Sequence, residues 1–297
     1  MTDGPTLTAQ PATTGVYALG EGPVWDPERQ RLLWVDILAA TVHTGQFDPA
    51  TGQIKQGEEW NFHDGFVGAV AVAAGGELIV AERATLTRVD PGGTRTTLAR
   101  VLPPARASRL NDGAVDPAGR FMVGSLALDD RHGREVLVRL DGRECTVLDA
   151  DLTLSNGLGW SPAGNQLYSI DTVPGVVWVR DYDPTTGAVG PRRVLFPVSD
   201  GSPDGMCVDA DGNLWIAIWG RGRVECRDPG GSLLATVEVA APNTSSVAFA
   251  GPELDVLVIT TANEHLTSDE QARYPDSGRL FMVRPGVRGR ATPYWVP

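Results

Sequence analysis

Glu21, Asn111, Asn156 and Asp204 occupy the same place in a local pattern that returns along the chain: a small or polar start, an alternating apolar run, a tight turn, a second apolar run. In "SNGLGWSP" (155–162), Leu158 and Trp160 read as a strand entering a core, yet the run opens on the amide of Asn156. Taking an amide out of water without partners costs roughly 2–7 kcal/mol, depending on the reference state. Asn-Gly and Asp-Gly pairs are turn formers, and that explains Asp112-Gly113, Asn156-Gly157 and Asp204-Gly205 one at a time. It does not explain a shared register, in which Asn111, Asn156 and Asp204 each stand eight residues before the glycine of a second turn, at Gly119, Gly164 and Gly212. Two carboxylates converging with amides in a confined space repel each other unless a cation lies between them. Oxygen-only donors favour a hard divalent ion, Ca²⁺ first, with Mg²⁺ or Mn²⁺ next and Zn²⁺ or Fe²⁺ still able to accept such ligands. The expected cofactor is one such ion, with Asn156 a ligand through its amide oxygen. Arg109 lies two residues before Asn111, on the same face of an extended strand, where its guanidinium offers a fork of donors to a polyol or carboxyl group. A lone arginine is otherwise an ordinary surface group.

These residues converge only if the pattern closes into a ring. Its six copies start at 21, 68, 111, 156, 204 and about 246, a period near 45 residues, and each copy is a β-hairpin. That is the signature of propeller blades, so the fold expected is an all-β, six-bladed propeller. The same register in successive blades then forms a ring at one end of the central channel: Glu21, Gly68, Asn111, Asn156, Asp204, and Ser245 or Ser246. Intervening stretches supply the outer strands. The expected ring closure sets "TTGVYAL" (13–19) beside "GRLFMVRP" (278–285), because an open sheet edge invites aggregation. Residues 1–297 form a single domain, with 1–12 expected to be a flexible extension. One short helix is expected at "SDEQARY" (268–274), with Ser268 as N-cap. The four histidines (43, 63, 132 and 265) fall outside the ring positions and are expected at the surface or in loops, His63 at the channel rim.

Composition excludes several partners. A formal charge of −12 among 297 residues argues against nucleic acid and anionic membranes. No apolar run approaches the roughly 20 residues of a spanning helix. Met1 to Gln10 carries neither a basic nor an apolar signal region. Three cysteines without a CxxC pair cannot make a disulfide framework, which favours a reducing cytoplasm. A monomer or small homo-oligomer is expected.

With those positions in place, the chain resembles the SMP-30/gluconolactonase family, which includes regucalcin and bacterial sugar-lactone lactonases. The likeness runs from about residue 16 to 288 and rests on "LGEGPVWD", "RLNDGAVDPAGR", "LSNGLGWSP", "SPDGMCVDADGNLWIAIWG" and "TTANEHLTSDEQARYPDSGRLF", five motifs in order. The resemblance implies a metal held by Glu21, Asn156 and Asp204, and a substrate contacted by Arg109 and Asn111. An acidic residue eighteen beyond that asparagine contacts sugar in some members; here it is Asp129, shorter than the usual glutamate and in a shortened loop. Arg221 stands where the family commonly has a second glycine, so a side chain is expected to reshape the rim. The implied activity is metal-dependent hydrolysis of a sugar aldonolactone, with Asp204 taking a proton from the attacking water unless that water is activated on the metal. Two alternatives remain open: another ester or organophosphate hydrolysis on the same scaffold, and a calcium-binding propeller without turnover.

Overall fold

A computed structural model describes residues 4–48, 50–129 and 131–297. It is a six-bladed β-propeller: six antiparallel-built sheets arranged in a ring, five of four strands and one of five. In chain order, the innermost strands of blades 1 to 6 are Gly20–Asp26, Val67–Val72, Ser108–Val115, Ser155–Trp160, Ser202–Val208 and Thr244–Ala250. Each runs from the channel end that carries the ring positions, called the mouth below, to a hairpin at the far end.

The burial gradient explains the sequence pattern. Inner strands are packed on both faces, so Val67–Val72 is buried throughout and its alternation disappears. The outermost strand of blade 3, Glu144–Leu152, is largely exposed. The glycines eight residues after the ring positions close the first hairpin of their blades with positive φ, as at Gly119 (φ 92°) and Gly212 (φ 93°), a conformation that L side chains rarely adopt. Apolar clusters bridge neighbouring blades: Leu33, Val35 and Val42 of blade 1 pack with Val67, Val70 and Val80 of blade 2. The closing seam is built the same way, with Trp25, Leu32 and Trp34 of blade 1 against Ala250, Val256 and Val258 of blade 6.

Ring closure uses the N-terminal chain on the expected edge, but further upstream than 13–19. Gln10–Pro11 pairs antiparallel with Phe281–Val283, and the chain then follows that edge through the hydrogen bond from Tyr17 N–H to Gly278 C=O (2.7 Å). The flexible extension expected over 1–12 is corrected for the residues described: Thr6–Thr8 adds a parallel fifth strand to blade 5. Backbone pairing needs no apolar side chains, so a polar segment gave no sign of it. At the other terminus, residues 290–296 cross the far end of the channel. Trp295 N–H donates to Val72 C=O (2.9 Å) and Val296 N–H to Gly119 C=O (2.8 Å), tying blades 2 and 3.

The helix is Ser268–Arg273, and its N-cap is Thr267 rather than Ser268, through a capping box with Glu270. No helix among the described residues is long and apolar enough to cross a membrane. His43, expected in a loop or on the surface, is a buried strand residue whose ring stacks on Trp34 (5.5 Å between centroids).

Candidate active site

The ring positions share a backbone device. The ladder between the two innermost strands slips at the mouth of every blade: between Glu21 and Val24, Val67 and Ala69, Leu110 and Gly113, Asn156 and Leu158, Pro203 and Met206, and Thr244 and Ser246. A bulge sets two residues against one on the partner strand, bends the strand and re-aims its side chains. The glycine after a ring position lets neighbouring blades close up. A Cβ on Gly157 would lie 2.6 Å from the Asp204 carbonyl oxygen, and one on Gly205 would lie 2.1 Å from Ser246 Oγ. Side chains from blades 1, 3, 4 and 5 thereby reach one small volume.

Glu21, Arg109, Asn111, Asn156 and Asp204 are all buried. The Asn156 amide donates from Nδ2 to Asp204 Oδ1 and to Thr172 Oγ1 (3.1 Å). Thr172 in turn donates its hydroxyl hydrogen to the Pro203 carbonyl (2.8 Å). A carbonyl can only accept, so the threonine must offer Asn156 a lone pair, and the amide must present nitrogen there. Asn156 Oδ1 is left buried without a hydrogen-bond partner among the described residues. Among the described residues Glu21 accepts one hydrogen bond, from Gly22 N–H (3.0 Å). Burial raises its carboxyl well above the usual range, and the charges of Asp204 and Asp112 raise it further. Asp204 is raised likewise, by burial and then by Asp112. An orphaned amide oxygen beside two mutually repelling buried carboxylates fits a hard divalent cation.

Arg109 donates from Nη1 to Asn111 Oδ1 (2.7 Å) and to the Leu110 carbonyl (3.1 Å), and its guanidinium stands 5.8 Å from the Phe66 ring centroid. Desolvation lowers its pKa to about 10, against the opposing charges of Glu21, Glu264 and Asp204. Asn111 spends its own Nδ2 on the Ser155 carbonyl of blade 4 (3.0 Å). Both ends of its amide thus serve the protein, tying blade 3 to blade 4 while holding Arg109. Asp129 stands apart. It is exposed, and its carboxylate pairs with Arg131 (Nε to Oδ1, 2.7 Å) rather than with the buried cluster. Arg221 at the rim is held by Asp200, which also pairs with Arg223 (2.9 Å).

Below the ring lies a cavity of about 260 Å³ on the channel axis, lined by Gly22, Asp112, Trp160, Met206 and Cys207, with Arg290 of the C-terminal crossing. Two residues of the site escaped the sequence reading. Thr172 lies in a hairpin connection outside the repeated register, and only the hydrogen bond it makes gives it meaning. Asp112 looked like the first half of an Asp-Gly turn; it lies instead inside the bulge of blade 3.

The family profile described as the SMP-30/Gluconolactonase/LRE-like region matches residues 19–263. The chain belongs to this family. Among its relatives, regucalcin of Xenopus laevis is 34% identical over 286 residues, covering 93% of this chain and 94% of the relative. A pentonolactonase of Haloferax volcanii is 36% identical over 279 residues, covering 92% of each. Among solved structures, regucalcin of Agrobacterium tumefaciens, described as a calcium-binding protein, superposes with a TM-score of 0.92 at 27% identity over 100% of both chains. Within this family fold, the bulged inner strands supply Glu21, Arg109, Asn111, Asn156 and Asp204, and half-buried Thr172 comes from a hairpin connection.

Proposed function

We propose that this chain hydrolyses a sugar aldonolactone to its aldonic acid, with one divalent ion, Ca²⁺ first, held by Glu21, Asn156 and Asp204. The observation that carries the reading is Asn156 Oδ1, buried and unpartnered beside Asp204. The kinship with a pentonolactonase supports the substrate class, and the likeness to a calcium-binding regucalcin supports the ion. When bound, the ion polarises the lactone carbonyl and stabilises the negative charge that develops on its oxygen. Asp204 has one oxygen engaged by the Asn156 amide and keeps the other for the proton of the attacking water. Water adds to the carbonyl carbon, the acyl–oxygen bond of the ring breaks, and the proton held at Asp204 passes to the departing ring oxygen, giving a carboxyl and a hydroxyl. Arg109, with Nη1 fixed by Asn111, offers its remaining N–H donors to sugar oxygens. Asn111 assists by fixing that guanidinium, and Asp129 contacts sugar only if it leaves Arg131.

A panel of glucono-, xylono-, arabinono- and galactonolactones tests the reading, with acid release followed against the spontaneous rate. Chelator-stripped protein should be inactive and should recover on adding Ca²⁺ or Mn²⁺. Calcium binding without acceleration on any lactone would leave a binding propeller. Turnover of an aryl ester or phosphotriester alone would leave a different hydrolase.

A further inference from the structure

Asp112 is a carboxylate that the proposed mechanism does not use. Its only hydrogen bond among the described residues is from Gly113 N–H (2.8 Å), and it takes part in none of the ion pairs. It is half-buried, and it lines the axial cavity together with Gly22, next to Glu21, and Met206, two residues beyond Asp204. Its charge nevertheless raises both Glu21 and Asp204. Among the described residues no three His, Cys, Asp or Glu side chains stand close enough together to hold one ion. Asp112 lines the cavity below the ring and takes no part in the Asn156–Asp204 hydrogen bond.

The ionisable groups around this volume are Glu21, Asp112 and Asp204 on one side and Arg109, faced also by Glu264, on the other: acidic groups outnumber the one basic group. Asp112 adds one acidic group to that surplus. Low-dielectric surroundings make that difference count, because buried charges are poorly screened. We propose that Asp112 is a positioning residue for charge: from beneath the ring, without ligating, it adds an acidic group that strengthens the site's attraction for one divalent cation and so raises the affinity for it. The proposal rests on the metal reading above. It goes beyond it in assigning the third carboxylate, and in making that carboxylate a burden on the metal-free protein.

The two halves predict opposite signs. Asp112→Asn is nearly isosteric and keeps an oxygen for Gly113 N–H. Calcium titrated calorimetrically into chelator-stripped protein should bind the variant about ten- to a hundredfold more weakly than wild type, the range of outer-sphere partners of metal sites. The metal-free variant should melt at a higher temperature than metal-free wild type, because a like charge has been removed. Asp112→Ser, which also removes the charge, should repeat both shifts, and supplies the test if the asparagine variant does not fold. Unchanged calcium affinity in the folded variant would overturn the proposal. So would weaker binding joined to a lower metal-free melting temperature, which marks damage to the bulge. Failure of the metal reading is separately visible, as wild-type protein that binds neither Ca²⁺ nor Mn²⁺.

Discussion

Asp26, Asp116 and Asp209 sit at the far end of the inner strands that carry Glu21, Asn111 and Asp204 at the mouth, five residues further along in each case. All three are fully buried, and each accepts four hydrogen bonds. Asp116 takes the N–H groups of Ala118 and Arg120, the Arg120 Nε (2.6 Å) and the Tyr182 hydroxyl. Asp209 takes the N–H groups of Asp211 and Asn213, the Asn213 amide and the Trp215 indole. Asp26 takes the Arg29 N–H, the guanidinium groups of Arg29 and Arg31, and the Tyr294 hydroxyl. The mouth is built the other way: among the described residues Glu21 has one donor, Asn156 Oδ1 has none, and the two carboxylates repel one another. A buried carboxylate saturated with donors fixes the hairpin around it. One starved of donors has a deficit that a ligand can fill.

The sharpest break of this comparison is a pair of alanine substitutions at opposite ends. Asp204→Ala should abolish tight binding of the divalent ion and lower kcat/KM by about a thousandfold, the upper range for losing one preorganised electrostatic group. The metal-free variant should be no less stable than wild type, since a repelled charge is gone. Asp116→Ala should do the reverse. It strands the Arg120 guanidinium and should cost roughly 3–5 kcal/mol of folding stability, with turnover per folded molecule and metal content retained. Calcium titration, lactone kinetics and denaturant melts on both variants check the contrast. A stable Asp116→Ala, or an Asp204→Ala that melts early and still binds metal, would dissolve the division between the two ends.

The next test stays within the mouth and separates ion from sugar. Arg109→Ala removes a guanidinium whose fixed nitrogen is held by Asn111, while the three proposed metal ligands come from blades 1, 4 and 5. Loss of charge-assisted hydrogen bonds to a neutral sugar should lower kcat/KM by about ten- to a hundredfold and leave metal content unchanged. Lysine at 109 should recover only part, because a point charge does not reproduce the fork. Loss of metal in Arg109→Ala would show that the guanidinium supports the ion site rather than the substrate.

Much of the mouth was legible because a repeat subtracts its own structure. Once the turn glycines and alternating valines are assigned to every blade, Glu21, Asn156 and Asp204 remain as fillings that the fold does not require. The bulges were not legible, because a bulge is a property of hydrogen-bond pairing and not of residue type. It also shifts the phase of the alternation, and so Asp112 read as turn chemistry when it faces the channel. Thr6–Thr8 and Gln10–Pro11 were hidden for a related reason: edge pairing through the backbone leaves little mark on composition. Asp129 matched a spacing, but spacing along a loop does not say which partner its carboxylate finds, and here that partner is Arg131.

The smallest expected effect concerns Thr172, which belongs to neither end by sequence and decides how the mouth is oriented. Its hydroxyl hydrogen is committed to the Pro203 carbonyl, so its lone pair selects the nitrogen of the Asn156 amide and leaves the oxygen free. Valine has nearly the same shape and offers no lone pair, so in Thr172→Val the amide is held by Asp204 Oδ1 alone. An amide that can flip presents nitrogen to the ion part of the time, and a nitrogen bearing hydrogens repels a cation. The calcium affinity of Thr172→Val should fall about tenfold, the lower range for residues that orient a metal ligand without touching the metal. At saturating calcium, kcat should return to the wild-type value, because the ligand set itself is intact. Thr172→Ser keeps the hydroxyl and should bind calcium as wild type does. A valine variant with wild-type affinity would mean that Asp204 alone orients the amide. A serine variant as weak as valine would mean that the threonine methyl, through packing between blades 4 and 5, is what matters at this position.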